Sequence, residues 1–482
     1  MYVIIFASKY FFGGFVMFES LQAEKLYNER LNRYVTAMNG GTPDRIPIRF
    51  FFQEAAAKYC GLTTQQVACD YRLAFDCTRK MAKDMNVDAC MLNAIWSNYG
   101  VGKSLGLKYM KIPGVDVSID SVTQYSEPEN EDDLFLHADE YDEFINDPTS
   151  FIFEKWLVRA SYRLTNGKVN AEHNMALIGG AMSYANYMNS FGEFAAKLKA
   201  DSIVSANAGM IKAPFDILAD KFRGYLPLAI DSIERPEIVY KACEALMPHI
   251  VANALASADP DQNVPITLWA HRGCVPFISF DTFDKIYFAT LKPVLEEITS
   301  KGYQVLFYGE GNWEPHYDSL LTLRENALIY HLDKGEPKNL RKLKEKFSVS
   351  GGLSYDVLAR GDEHDVKNHM KELFAAIKNG GGYILDATAL MLNDIKHQNI
   401  ETAVNYTMEH GVYSQTSKPR KKAFFDAPSI NDNTKTAPNT TRPWEVESKN
   451  YQNLEGDIEL VKNSWNAVDI LPYNYVWTTV LW

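Results

Sequence analysis

Between Arg45 and Tyr413 the chain alternates short apolar runs with amphipathic helical stretches, and this alternation limits its fold more than any other feature. Short runs rich in β-branched and aromatic residues, separated by helical patterns, predict βα units around a parallel sheet. The predicted strands are 45–52, 86–92, 175–181, 264–271, 303–310, 327–333, 347–353 and 381–387. Eight such strands close a (β/α)8 TIM barrel, an α/β fold. The stretches between them carry the helical period: in 363–379, Val366, Met370, Leu373, Phe374 and Ile377 share one face, and Gly380 supplies a left-handed stop. The rival architecture, an open doubly wound sheet, is disfavoured because no Gly-rich phosphate loop follows the first strand.

Two stretches fall outside the repeat. We expect an N-terminal segment at 1–41, a barrel at 42–425 with a long insertion at 100–170, and a C-terminal extension at 426–482. The insertion holds the charged run EPENEDDLFLHADEYDEF. The extension opens polar and ends in YNYVWTTVLW, so its end is expected to dock on the barrel or on a second subunit, and a homodimer is expected. The first eighteen residues are apolar but are interrupted by Lys9 and are too short to span a bilayer. They show no clear secretory pattern, and Met17 is the expected start.

The net charge of −12 argues against a nucleic-acid partner, whose phosphates need clustered Lys and Arg. None of the six cysteines is spaced as CxxC, so free thiols and a cytoplasmic location, with no membrane partner, are expected.

In a barrel of this kind reactive side chains lie at the C-terminal ends of the strands. Those ends supply Gln53, Glu54, Asn93, Met182, His271, Glu310, Asp333, Gly351, Gly352 and Asp386. No serine–histidine or cysteine–histidine pair stands beside a strand end, which favours acid–base or metal chemistry over a covalent acyl intermediate. His271 and Glu310 end consecutive predicted strands, and neighbouring strands lie about 5 Å apart. Imidazole and carboxylate suit zinc, with Asp386 as a third ligand and one position left open. The alternative is a hydrogen-bonded polar cluster that only orients substrate, and no HxH or HExxH spacing decides between them.

The segment GGGYILDATALMLNDIKHQNIETAVNYTMEHGVY resembles the closing strand and helix of the uroporphyrinogen decarboxylase superfamily. TPDRIPIRFFFQEAAAKY is similar to that superfamily's Arg-x-Pro opening strand. SFDTFDKIYFATLKPVLEEITSKGYQVLFYGEGNW and SVSGGLSYDVLARGDEHDV resemble the segments around its fifth and seventh strands. The resemblance covers residues 42–413 and implies the barrel fold. Decarboxylases of the family resemble one another in an Arg-Gln-Ala-Gly-Arg run that clamps substrate carboxylates. Phe52-Gln53-Glu54-Ala55-Ala56 stands there instead, so an acidic tetrapyrrole would meet a carboxylate in place of paired guanidinium groups.

The resemblance therefore points to the corrinoid-dependent methyltransferase branch. Where that branch carries His-x-Cys and a later Cys as zinc ligands, this chain has Tyr308-x-Glu310 and Ala389, so a thiol acceptor is not expected. The resemblance implies transfer of a methyl group from a small methoxylated donor to the cob(I)alamin of a partner corrinoid protein. Cobalamin carried by that partner, and zinc, are the implied cofactors. Glu310 and His271 are the candidate catalytic residues. Gln53, Phe52, Asn93, Trp313 and Asp386 are the candidate substrate contacts, with Phe51 as a further wall. The rival readings are a decarboxylase or other lyase acting on a non-porphyrin acid, which needs a cation such as Arg272 or Arg49, and a non-enzymatic corrinoid-binding barrel.

Overall fold

The structure is a computed structural model that describes residues 18–91, 98–122, 124–126, 128, 133–164, 169–206, 208–419, 425–427, 430, 437–451 and 453–481. The strands of its barrel are, in chain order, Arg49–Phe50, Ala89–Cys90, a third in two pieces (Val204–Ser205 and Gly209–Lys212), Ile266–Ala270, Val305–Asn312, Leu328–Lys334, Ser348–Gly351 and Tyr383–Ile384. Every neighbouring pair is parallel. The first piece of the third strand pairs with the second strand and the second piece with the fourth. A parallel bridge between Ile48 and Leu385 joins the eighth strand back to the first and closes the (β/α)8 barrel.

Seven of the eight predicted runs hold these strands, and one does not. Residues 175–181 lie inside the helix Ala171–Ala200, so the strand predicted there is corrected. Met182, expected at a strand end, is exposed within that helix, as are Met175 and Ile178. The apolar run MALIGGA therefore does not mark a buried strand. Val204–Ser205 and Gly209–Lys212 form the third strand instead, and Ser205 and Gly209 break the apolar pattern that would have marked it.

Side chains alternate across each strand with period two. One set faces the surrounding helices in the main core: Ile48, Phe50, Phe52, Leu268, Ala270, Phe307, Tyr330, Val349 and Leu385. The other set forms a separate interior cluster with Phe51, Ala89, Met91, Leu306, Ile329, Ile384 and Trp269. The helix Leu21–Met38 plugs the N-terminal end of the barrel. Its Tyr34, Ala37 and Met38 join the interior cluster, and Ser348 and Gln304 donate hydrogen bonds to the carbonyls that end it. A helix across the bottom leaves the C-terminal mouth as the working face.

The insertion contributes a short antiparallel hairpin, Met110–Lys111 with Gln124–Tyr125, and helices that pack beside the barrel. The chain ends in the helix Ile458–Leu481, whose last turns are buried within this same chain. Trp477 stacks on His249 at 4.1 Å and donates to Thr149 Oγ1, while the Tyr473 hydroxyl lies 2.7 Å from His249 Nδ1. The apolar end thus needs no second subunit to cover it. Trp477→Ala is expected to cost about 3–5 kcal/mol, the usual range for deleting a buried large aromatic, as read from denaturant unfolding. Among the described residues no helix is long and apolar enough to cross a membrane.

Candidate functional site

Period-two alternation carries Lys212, His271, Glu310 and Asp333 inward at the C-terminal ends of the third to sixth strands. Ala270 and Gly309 are register partners, so His271 and Glu310, the next residues of each strand, come out side by side. The register shifts between Gly309 and Asn312. Such a bulge re-aims a strand's side chains, and it occurs here where Glu310 meets the mouth. Gly311 makes this possible: its φ is +88°, and a Cβ there would lie 2.5 Å from Cys274 Sγ.

Two carboxylates that sequence reasoning missed hold His271. The helix Pro214–Ile217 and the π-helical turn Leu218–Arg223 follow the third strand and bury Asp216 and Asp220. Asp216 accepts from the backbone N–H groups of His271 and Arg272 and from the Tyr287 hydroxyl. Asp220 lies 3.0 Å from His271 Nε2 and accepts from Lys212 Nζ at 2.5 Å. The signal was present as APFDILAD, two acids four residues apart in an apolar run. With the third strand placed at 175–181, the stretch was not read as a strand end.

Burial alone would lower the His271 pKa, but Asp220 and Asp216 outweigh it and raise the value from 6.5 to about 9. His271 is therefore an imidazolium at neutral pH. Its pairing stabilises the fold fully below pH 6.5 and is lost as pH rises through about 9. Unfolding free energy is expected to fall by about 3 kcal/mol across that window. Urea titrations at several pH values check this, and His271→Gln should flatten the slope.

The Glu310 carboxyl is pushed up from the usual range by burial, against the opposing pull of His271 and Lys212, with Asp333 and Asp220 adding to the rise. Burial also raises Asp333, which accepts from the Gly311 N–H at 2.7 Å. The insertion hairpin reaches this mouth, where Tyr125 donates to the Asp220 carbonyl at 3.1 Å. Beside it, burial pushes the Lys221 amine well down, and its Nζ stands 4.4 Å from the Tyr109 ring and 4.5 Å from the Tyr125 ring.

The other residues proposed from sequence divide clearly. Gln53 faces inward at the end of the first strand, fully buried, with neither amide atom hydrogen-bonded among the described residues. Phe52 falls on the opposite parity and packs edge-on against Phe50 in the outer core, so it forms no wall of the mouth. Trp313 is also core, enclosed by Phe307, Tyr287 and Phe283, and its Nε1 donates to the Glu310 carbonyl. Trp313 therefore braces Glu310 from behind. Asn93 lies outside the described residues.

Asp386 is inward but committed. Its carboxylate accepts from Arg49 at 2.7 and 3.0 Å, deep in the barrel, and His331 stands 3.9 Å away. Among the described residues no three His, Cys, Asp or Glu side chains converge as a metal site requires. With Asp386 held by Arg49 deep in the barrel and His271 paired with Asp220 at 3.0 Å, His271, Glu310 and Asp386 do not come together as the three-ligand zinc set.

The closed parallel (β/α)8 barrel is the fold of the superfamily that the sequence resembles. Residues 197–410 match the family model for uroporphyrinogen decarboxylase (URO-D), which bears out that resemblance over the third to eighth strands. Among solved structures, a methyltransferase from Methanosarcina mazei aligns with a TM-score of 0.50 at 14% identity, covering 79% of this chain and 98% of that one. At that identity the likeness is one of fold. No curated protein matches the chain in sequence.

Proposed function

We propose that this chain is an enzyme that moves a methyl group from a small methoxylated donor to the cob(I)alamin of a partner corrinoid protein. The observation that carries the reading is a half-buried Glu310, its carboxyl pushed up from the usual range, beside the His271 imidazolium at the barrel mouth. The corrinoid, as methyl acceptor, supplies the nucleophile. An ether oxygen leaves poorly unless a proton reaches it as the carbon–oxygen bond breaks, and Glu310 is the group placed to give that proton. The carboxylate left behind faces His271 and Lys212, whose positive charges offset the charge it acquires. Water then returns the proton. Gln53, with its amide unpaired, is the candidate for orienting the donor. The match of the fold to a methyltransferase from Methanosarcina mazei is consistent with this reading.

The decarboxylase reading needs a free cation, and both of its candidates are engaged. Arg49 is fully buried against Asp386. Arg272 lies over the Tyr225 and Phe277 rings, 3.6 Å from Asp220. The test is to mix the protein with cob(I)alamin and a panel of methoxylated compounds and follow the cob(I)alamin absorbance. Donor-dependent loss of that absorbance is expected. Release of carbon dioxide from an acid substrate with no change in the corrinoid would support the decarboxylase instead.

A further inference from the structure

The helix that leaves the first strand, Glu54–Tyr59, is capped by Cys60 and packs against the helix Tyr71–Asp84. Cys77, Lys80 and Asp84 follow one another at helical spacing, so they share one face of that second helix. Tyr59 meets the far end of this stripe: its hydroxyl donates to Asp84 Oδ2 at 2.8 Å, and Lys80 Nζ stands 4.9 Å from its ring. Cys60, the next residue, meets the near end, where the Cys77 thiol hydrogen-bonds its sulfur. Both cysteines are free thiols, and the proposed methyl transfer uses neither.

The two thiols differ in what can reach them. Cys60 is half-buried and keeps part of its surface in solvent, whereas Cys77 is enclosed in the main core. Burial and the hydrogen bond to Cys60 push the Cys77 thiol up, so it holds its proton at neutral pH. The Lys80 ammonium acts on both sulfurs and favours a thiolate there, against the opposing charge of Asp76.

We propose that Cys60 and Cys77 form a redox pair, Cys60 being the thiol that a hydroperoxide oxidises and Cys77 the thiol that converts the product to a disulfide. The Cys60 sulfur attacks one oxygen of the peroxide, the oxygen–oxygen bond breaks, and Cys60 becomes a sulfenic acid as the thiol proton leaves in water. The Cys77 sulfur then attacks the Cys60 sulfur, the sulfur–oxygen bond breaks, and the hydroxyl leaves as a second water with the Cys77 proton. Two thiols lose two electrons and one peroxide gains them. Thiols already in contact can close to the ~2.0 Å of a sulfur–sulfur bond by turning about their Cα–Cβ bonds. The bond fastens the connection that leaves the barrel just past Gln53 to the outer helix.

The test needs neither donor nor corrinoid. The full chain is treated with a small excess of hydrogen peroxide, quenched, alkylated and digested without reduction. Mass spectrometry is expected to find peptides cross-linked through Cys60 and Cys77 as the main product. Thiols counted after denaturation should drop by two from the six of the reduced chain, and dithiothreitol should restore them. Cys77→Ser should leave Cys60 as a sulfenic acid that dimedone traps, and Cys60→Ser should leave Cys77 unmodified, with thermal unfolding confirming that each variant is folded. Cys69, exposed on the short helix between them, is the competing partner, so Cys69→Ser should keep the product. Six surviving thiols, an oxidised Cys60 beside a free Cys77 in wild type, or a Cys60–Cys69 bond as the main product overturns the inference.

Discussion

Glu310→Gln is expected to lower the methyl-transfer rate by roughly 10²- to 10⁴-fold, the usual contribution of a positioned general acid. The substitution keeps shape and hydrogen-bonding capacity but removes the transferable proton. Burial already holds the native side chain toward its neutral form, so the fold loses little when the charge becomes unavailable. Thermal unfolding of the variant should stay close to wild type while turnover collapses. The pH profile adds a second check. In the wild type the rate should fall on the alkaline side as Glu310 gives up its proton, at a pH above the ordinary glutamate value, and the variant should not show that limb. A variant that keeps most of its activity removes Glu310 from the mechanism.

Asp386→Asn is expected to act in the opposite way, costing about 3–5 kcal/mol of stability because it leaves the Arg49 guanidinium buried without its counter-charge. Arg49 and Asp386 are both almost wholly enclosed, and Arg49 Nη2 also donates to Ser350 Oγ at 3.0 Å. The double variant Arg49→Met/Asp386→Leu should recover much of the loss, since it removes both charges together. Denaturant unfolding of the two singles and the double forms the cycle. Additive losses would mean that the two side chains do not depend on each other.

The parts of the fold that could be read from sequence were those where an apolar run coincides with a strand buried on both faces. PITLWA and YQVLFY are such runs, and they placed His271 and Glu310 correctly at neighbouring ends. The third strand was hidden because its own sequence, IVSANAGMIK, interrupts the apolar pattern, while the helix before it displays Met175, Ile178 and Met182 to solvent. That one misplacement also concealed Lys212 and the carboxylates Asp216 and Asp220, and it is the two carboxylates that give His271 its charge. Parity explains the remaining differences. Trp313 lies an odd number of residues beyond Glu310 and Phe52 one residue before Gln53, so each falls on the outer face. Trp269, two residues before His271, shares its face and was open to the same inference. Asp386 was placed inward correctly, but sequence alone gave no sign that Arg49, 337 positions away, would claim it.

A methyl group that leaves a methoxylated donor for a corrinoid can be followed directly. The protein is incubated under reducing conditions with cob(I)alamin and a donor whose methoxy carbon carries three deuterium atoms, and all products are analysed by mass spectrometry. The expected result is trideuteromethyl-labelled corrinoid together with an equal amount of the demethylated hydroxy compound, both strongly diminished with Glu310→Gln. An intact donor recovered beside unlabelled corrinoid, across aromatic and aliphatic donors alike, would contradict it.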